Sequence, residues 1–95
     1  MEIRNAKIKF SSLSLDDKLT FQIGFECGET KTFVTDKLIA YVEAIELLLK
    51  VLEIHSWEEL PRKFARIKID DGKIIAIGNL IENKWMNIEP LKKGE

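Results

Sequence analysis

The chain has 95 residues, of which 45% are hydrophobic and 33% are charged, which is typical of a folded domain and excludes a disordered chain. A formal net charge of −1 excludes a general electrostatic attraction to nucleic acids or acidic membranes. The single cysteine, Cys27, excludes an intrachain disulfide, and no apolar run reaches the roughly 18 residues of a membrane span. We therefore expect one cytoplasmic domain over residues 1–95 that does not enter a membrane.

Residues 1–34 are predicted to form three antiparallel strands. Apolar and polar side chains alternate from Ile3 to Phe10 and again from Leu19 to Glu26, which is the pattern of half-buried strands. The serine-rich and aspartate-rich residues 11–18 predict a loop between these strands. A third strand is expected from Lys31 to Val34.

Gly28 predicts the turn that joins the second and third strands. A turn of two residues sets Glu26 opposite Lys31. A turn of three residues is expected to pair Phe25 with Phe33, and the apolar pattern favours this second arrangement.

A helix is predicted from Thr35 or Asp36, either of which is a good N-cap, to about Ile54. Its apolar surface is about twice as wide as the stripe of a little over 100° that covers one sheet. One flank is expected to pack on the sheet: Leu38, Val42, Ile45, Leu49 and Leu52. The other flank is expected to form a second contact with a copy of the chain in a homodimer: Ala40, Ala44, Leu47 and Val51.

Ser56 and Glu59 have the spacing of a capping box, which predicts a short helical turn that Pro61 ends. The dipeptide Asp71-Gly72 then predicts a hairpin between Phe64–Asp70 and Lys73–Leu80. A two-residue turn there is expected to place Ile69 opposite Ile74 and Ile67 opposite Ala76, with Ala65 and Gly78 on the same apolar face. Arg66 and Lys68 are expected beside Ile75 and Ile77 on the other face.

The predicted fold is therefore α+β: an antiparallel sheet of three N-terminal strands and a C-terminal hairpin, with one long helix packed on it. Residues 35–60 hold the helix and the short helical turn, and residues 61–88 hold the hairpin and a short strand around Trp85. Residues 89–95 are expected to be a frayed tail.

Catalytic groups are scarce. His55 is the only histidine, which excludes sites that need two imidazoles. A nucleophilic pair of Cys27 with His55 is formally possible, but a hairpin cysteine and a polar residue at a helix end are the favoured interpretation. The carboxylate pairs Asp16-Asp17 and Asp70-Asp71 lie at turn positions, where aspartate is favoured for its backbone conformation. We expect no enzyme, no cofactor and no metal.

Basic side chains concentrate near the C-terminus: residues 35–60 carry two basic and six acidic residues, and residues 61–95 carry eight and five. The basic residues of this region flank two tryptophans, and together they are the candidate partner-binding residues: Trp57, Arg62, Lys63, Arg66, Lys68 and Trp85. Tryptophan beside arginine is typical of protein-binding hot spots, whereas cations beside aromatic rings are also typical of single-stranded nucleic-acid binders. Both interpretations remain open.

The segments "SWEELPRKFARIKI" and "GKIIAIGNLIENKW" resemble the C-terminal half of small proteins from phages and prophages of Gram-positive bacteria, which end in a similar "IGN/H-I-I-x-x-KW" phrase. The resemblance covers about residues 45–86, and Phe64-Ala65 stands where such relatives often have Tyr-Val. It implies a mobile-element origin and carries over no functional residues. We therefore expect a small non-catalytic phage-type protein that binds and inhibits a host protein, such as part of a bacterial defence system including CRISPR. The alternative is a nucleic-acid- or nucleotide-binding module that uses the basic hairpin.

Overall fold

A computed structural model describes residues 1–15 and 17–88, so the predicted tail at 89–95 and the carboxylate pair that includes Asp16 lie outside the described residues. The elements of the described residues, in chain order, are β1 (Glu2–Leu15), β2 (Leu19–Phe25), β3 (Thr30–Thr35), α1 (Leu38–Leu52), a 3-10 turn (Trp57–Glu59), β4 (Phe64–Asp70), β5 (Lys73–Gly78) and β6 (Trp85–Asn87). These six strands form one antiparallel sheet in the order β3-β2-β1-β4-β5-β6, and α1 packs on one of its faces, which confirms the α+β class.

The long strand β1 joins the two halves of the sheet. Its residues 2–7 pair with β4 and its residues 8–15 pair with β2, with a bulge at Lys9 near the start of the second half. The prediction of a loop over residues 11–18 was therefore wrong for residues 11–15. In that stretch Ser12 and Ser14 alternate with leucines, and this period of two outweighs the turn preference of the individual serines.

The β2–β3 turn has three residues, 26–28, closed by the Phe25 amide donating to the Glu29 carbonyl at 2.8 Å. Because such a turn sets Phe25 opposite Glu29, the predicted pairing of Phe25 with Phe33 was wrong. Phe33 instead pairs with Phe21, and the two rings stack with their centroids 5.1 Å apart.

The helix is rotated by roughly a quarter turn from the predicted orientation. The prediction assigned one apolar flank to the sheet and the other to a second copy of the chain. The buried side of the helix lies between the two flanks: Tyr41, Ala44, Leu48, Val51 and Leu52. Leu38 and Val42 are consequently exposed instead of packed on the sheet. Ala44 and Val51 belong to the core, which contradicts their assignment to a homodimer contact; of that predicted flank only Leu47 is exposed, and Ala40 is half-buried. The hydrogen bond from the Tyr41 hydroxyl to the Thr20 carbonyl, 3.0 Å long, helps to fix this rotation.

The predicted N-caps, Thr35 and Asp36, were wrong, and the side chain of the actual N-cap makes no capping hydrogen bond. The N-cap is Lys37, whose amide donates to the Thr35 hydroxyl oxygen at 3.1 Å. The C-cap is Glu53, which adopts the left-handed conformation with φ 59°. None of the helices among the described residues has the length and apolar character needed to cross a membrane.

The capping box predicted for Ser56 and Glu59 is partly formed in the 3-10 turn that follows the helix. The Ser56 hydroxyl donates to the Glu59 carboxylate at 3.2 Å, and the same carboxylate accepts from the His55 amide at 3.3 Å. Glu59 therefore reaches back to the residue before the N-cap, one position further than in the standard capping box.

The β4–β5 hairpin has the predicted Asp71-Gly72 turn, with positive φ at both residues. Ile69 pairs with Ile74 as expected, but a bulge next to this pair shifts the rest of the register by one residue. Ile67 therefore faces Ile77 in the core instead of Ala76. The bulge moves Gly78 to the other face of the sheet, opposite Arg66.

Candidate functional site

A tight turn, Leu60–Lys63, connects the 3-10 turn to β4. The Lys63 amide donates to the Leu60 carbonyl at 3.0 Å, Pro61 holds the second position, and Arg62 holds the third with φ 76°. A proline followed by positive φ defines a type II turn, in which the third position favours glycine. The turn is held against the sheet because the Arg62 amide donates to the Ile8 carbonyl at 2.7 Å and the Ile8 amide donates to the Lys63 carbonyl at 2.8 Å.

A loop after β5, residues 79–84, lies next to this turn and is organised by the buried side chain of Asn79. The Asn79 side-chain amide donates to the Val51 carbonyl at the helix C-terminus, 2.9 Å away. Its side-chain oxygen accepts from the amides of Ile81 and Glu82, each at 2.9 Å. One side chain thus links the end of α1 to the loop and folds the loop into a turn.

Arg66 supports the same loop from the opposite face of the sheet. Its Nε donates to the Asn79 carbonyl at 2.7 Å and its Nη2 donates to the Glu82 carbonyl at 2.9 Å. The guanidinium carbon lies 4.7 Å from the centroid of the Trp85 ring, and the Lys68 Nζ lies 4.3 Å from it. Trp85 packs over Gly78, so Arg66, Lys68 and Trp85 form one structural cluster, in which Arg66 is already bonded to the loop.

Between the turn and the loop lies a groove of about 350 Å³. It is lined by Glu53, Arg62, Lys63, Phe64, Asn79, Leu80 and Ile81. Phe64 is exposed, and Ile81 is 85% exposed, the largest fraction among the exposed large hydrophobic residues of the described chain. The Lys7 Nζ lies 5.5 Å from the centroid of the Phe64 ring, so a third cation lies beside the Phe64 wall of the groove. The groove thus combines exposed apolar side chains with cationic ones.

The acidic groups near the groove have cationic partners. The Lys84 ammonium contacts the Glu53 carboxylate at 2.6 Å and the Glu82 carboxylate at 3.2 Å. The hydrogen bond from Lys84, then its charge, lowers the pKa of Glu53, and the hydrogen bonds to Glu53 and Glu82 raise the pKa of Lys84. Arg62 and Lys63 form no ion pair with any residue of 1–15 or 17–88. The charge left unpaired at the groove is therefore positive.

Backbone strain also concentrates at the groove. Across the described chain, three non-glycine residues have positive φ: Glu53, Arg62 and Asp71. Two of them line the groove, and both occupy positions, a helix C-cap and a type II turn, where glycine is preferred. Such strain costs about 1–2 kcal/mol at each non-glycine residue and clusters at functional sites.

The structure separates the six predicted partner-binding residues into three places. Arg62 and Lys63 line the groove, and Arg66, Lys68 and Trp85 form the neighbouring cluster. Trp57 lies elsewhere: its ring packs edge-on against the Phe21 ring, with centroids 5.5 Å apart, and closes the core.

Five residues of the groove were not among the predicted site residues: Glu53, Phe64, Asn79, Leu80 and Ile81. A signal for the last two was present in "GNLIENKW", where two adjacent large apolar residues stand within a polar turn. Of the other candidate groups, Cys27 is exposed in the β2–β3 turn, and His55 is exposed between α1 and the 3-10 turn. Residues 1–15 and 17–88 contain no group of three or more histidine, cysteine, aspartate or glutamate side chains that could hold a metal ion.

Comparison of the chain with protein-family models, with curated proteins and with solved structures finds no match in any of the three.

The packing of Trp85 over Gly78 makes a testable prediction for the cluster. A Cβ at Gly78 lies 2.5 Å from the Trp85 ring, so Gly78→Ala is expected to displace the ring and to lower the free energy of unfolding by about 1–3 kcal/mol. Urea denaturation of Gly78→Ala, Trp85→Ala and the double variant measures this. The double variant is expected to lose less than the sum of the single losses, because removing the ring relieves the clash.

Gly24→Ala is the matched control, since a Cβ there also meets an aromatic ring, that of Phe10. Phe10 is 42% exposed, so its ring can swing into solvent and the cost is expected to be smaller than at Gly78. Strict additivity between Gly78→Ala and Trp85→Ala contradicts the described packing.

The Lys84–Glu53 pair makes a prediction about pH. Because the pKa of Glu53 is lowered from 4.5, the stabilisation by its carboxylate is complete above pH 4.5 and is lost as the pH falls through the lower pKa of the folded state. The pKa of Lys84 is raised by the same pair, so its ammonium stays charged throughout this acidic range. Thermal melting is therefore expected to show Glu53→Gln less stable than the unaltered protein at neutral pH, with the difference disappearing in strong acid.

Glu46→Gln is the control for this measurement, because it removes a longer and more exposed ion pair of 3.6 Å with Lys50. A melting-temperature difference for Glu53→Gln that stays constant from neutral to strongly acidic pH contradicts a role for the Lys84–Glu53 pair.

Proposed function

We propose that this protein is a non-catalytic binding module that modulates a partner protein through the groove between the Leu60–Lys63 turn and the 79–84 loop. The observation that carries the proposal is the pair Phe64 and Ile81, two large apolar side chains left exposed on either side of one groove. Exposed apolar side chains surrounded by polar and charged groups are typical of protein–protein contact sites.

The support around the groove favours a preformed site. Asn79 and Arg66 together make five hydrogen bonds that fix the conformation of the loop, and two backbone bonds to Ile8 fix the turn. A partner that binds preorganised walls loses less conformational entropy on binding than one that must order them.

A protein partner is favoured over a nucleic acid by the contacts within the cluster of Arg66, Lys68 and Trp85. Arg66 donates to two loop carbonyls and, with Lys68, lies against Trp85, so neither the cations nor the ring of this cluster is as free as a strand of phosphates and bases requires. The resemblance of residues 45–86 to small proteins of phages and prophages makes a bacterial host protein, such as a component of a defence system, the expected partner.

The test is affinity capture from a lysate of a Gram-positive host with three forms of the protein: unaltered, Ile81→Asp and Ile39→Asp. Ile81 and Ile39 are 85% and 73% exposed, so both changes replace a surface isoleucine by a charge at little expected cost in stability. A specific partner is expected with the unaltered protein and with Ile39→Asp, and is expected to be lost with Ile81→Asp. Retention of the partner by Ile81→Asp, or its loss only with Ile39→Asp, overturns the proposed function.

A further inference from the structure

The identity of the groove's occupant is constrained by the charge of its walls. The carboxylates of Glu53 and Glu82 are held by Lys84, whereas Arg62 and Lys63 have no ion-pair partner in the described part of the chain. Lys63 lies close enough to Glu53 for its charge to lower the pKa of that carboxyl slightly further. A ligand that brings carboxylates therefore meets two cations that are not already neutralised.

Arg62 carries the second argument. A glycine at the third position of the Leu60–Lys63 turn avoids the strain that φ 76° imposes on a side chain. The turn nevertheless carries arginine, whose guanidinium can bind a carboxylate with two parallel hydrogen bonds. Because the backbone of Arg62 is fixed to Ile8, its side chain projects from a rigid base.

The apolar part of the groove supplies the third argument. Phe64, Leu80 and Ile81 are exposed next to the two cations, so a ligand that satisfies all of them has an apolar group beside its negative charges. A nucleic acid stacks its bases on aromatic rings, but Leu80 and Ile81 are aliphatic and offer none, whereas an aromatic or aliphatic residue of an acidic peptide can pack against all three side chains.

We propose that the groove binds an acidic segment of the partner protein, with its carboxylates on Arg62 and Lys63 and one large apolar side chain against Phe64, Leu80 and Ile81. This inference rests on the proposed function and adds the chemistry of the ligand. A charged rim of this kind directs the partner to the groove and makes binding weaker as the salt concentration rises.

The test uses three sets of short synthetic probes, measured by fluorescence polarisation at low and at physiological salt. The first set consists of glutamate-rich and aspartate-rich peptides with one phenylalanine or leucine. The second set has lysine in place of every acid, and the third consists of single-stranded oligothymidylates. The proteins are the unaltered form, Arg62→Gly with Lys63→Ser, and a control with Lys18→Ser and Lys37→Ser.

The control removes two exposed cations near the other end of the 15-residue helix, so it matches the change in net charge and leaves the groove intact. Arg62→Gly is chosen because glycine suits the turn, and circular dichroism checks that both variants are folded. The acidic peptides are expected to bind the unaltered protein and the control equally, and the groove variant about tenfold or more weakly.

Three results overturn the inference: no binding by any acidic peptide, equal binding by lysine peptides, or binding of oligothymidylate that depends on Arg62 and Lys63. If one of these occurs while capture of a host protein remains sensitive to Ile81→Asp, the acidic ligand is wrong and the proposed function stands. If capture is insensitive to Ile81→Asp, the proposed function itself fails.

Discussion

Asn79→Ala is expected to lower the free energy of unfolding by about 2–4 kcal/mol, because one side chain makes three hydrogen bonds in a buried position. The change leaves the Val51 carbonyl without this donor and the amides of Ile81 and Glu82 without their acceptor. Each buried group left unsatisfied costs about 1–3 kcal/mol, and the three costs are not fully additive since the loop can relax. Urea denaturation measures the loss.

Two further variants sharpen this prediction. Asn79→Asp keeps the oxygen that accepts from Ile81 and Glu82 and loses only the donor to Val51. Its loss of stability is expected to come from a carboxylate that faces the Val51 carbonyl oxygen. Asn87→Ala, at an exposed asparagine of β6, is the matched control and is expected to change stability by no more than about 0.5 kcal/mol. A loss for Asn79→Ala no larger than that of the control contradicts the assigned role.

Leu60→Ala is the second large effect, with an expected loss of about 2–5 kcal/mol. Leu60 is fully buried in the core directly before the turn that carries Arg62 and Lys63, and its carbonyl accepts the Lys63 amide. Truncation leaves a cavity beneath the turn, which cannot close because the turn is bonded to Ile8. Denaturation in urea, compared with Leu13→Ala at a leucine that is 49% exposed, measures the difference.

Leu13→Ala is expected to cost less than about 1 kcal/mol, since half of that side chain is already in water. If the two leucine variants lose similar amounts of unfolding free energy, Leu60 does not hold the turn in place. If Leu60→Ala unfolds the protein entirely, Leu60→Met preserves the volume and is expected to cost less than about 1.5 kcal/mol.

Local patterns in the sequence predicted the strands and turns that depend on neighbouring residues. The alternation from Leu19 to Phe25 and the Asp71-Gly72 turn are examples, because a period of two and a demand for positive φ are properties of a few consecutive residues. The helix was also predicted from its period, but its rotation was not. Apolar residues lie on both flanks of α1, so the period alone does not say which of them faces the sheet, and contacts such as Tyr41 with Thr20 decide it.

The groove shows the same division between local and distant information. Arg62 and Lys63 were predicted as partner-binding residues from their charge, and the structure places both at the groove. Phe64 and Asn79 were not among the predicted site residues, because their roles depend on a loop folded by hydrogen bonds to residues up to 28 positions away. The hairpin bulge that puts Gly78 under Trp85 is likewise not encoded by the Asp71-Gly72 turn.

The measurement that tests the groove most directly is site-specific photo-crosslinking with benzoylphenylalanine in place of Ile81 or of Ile39, carried out in host cells. Both positions are highly exposed, but only Ile81 lines the groove. Ile39 lies on the exposed side of α1. A discrete crosslinked product from position 81, absent from position 39 and suppressed by Arg62→Gly with Lys63→Ser, is the expected result. Crosslinking from position 39 with none from position 81 contradicts the assignment of the groove as the binding site.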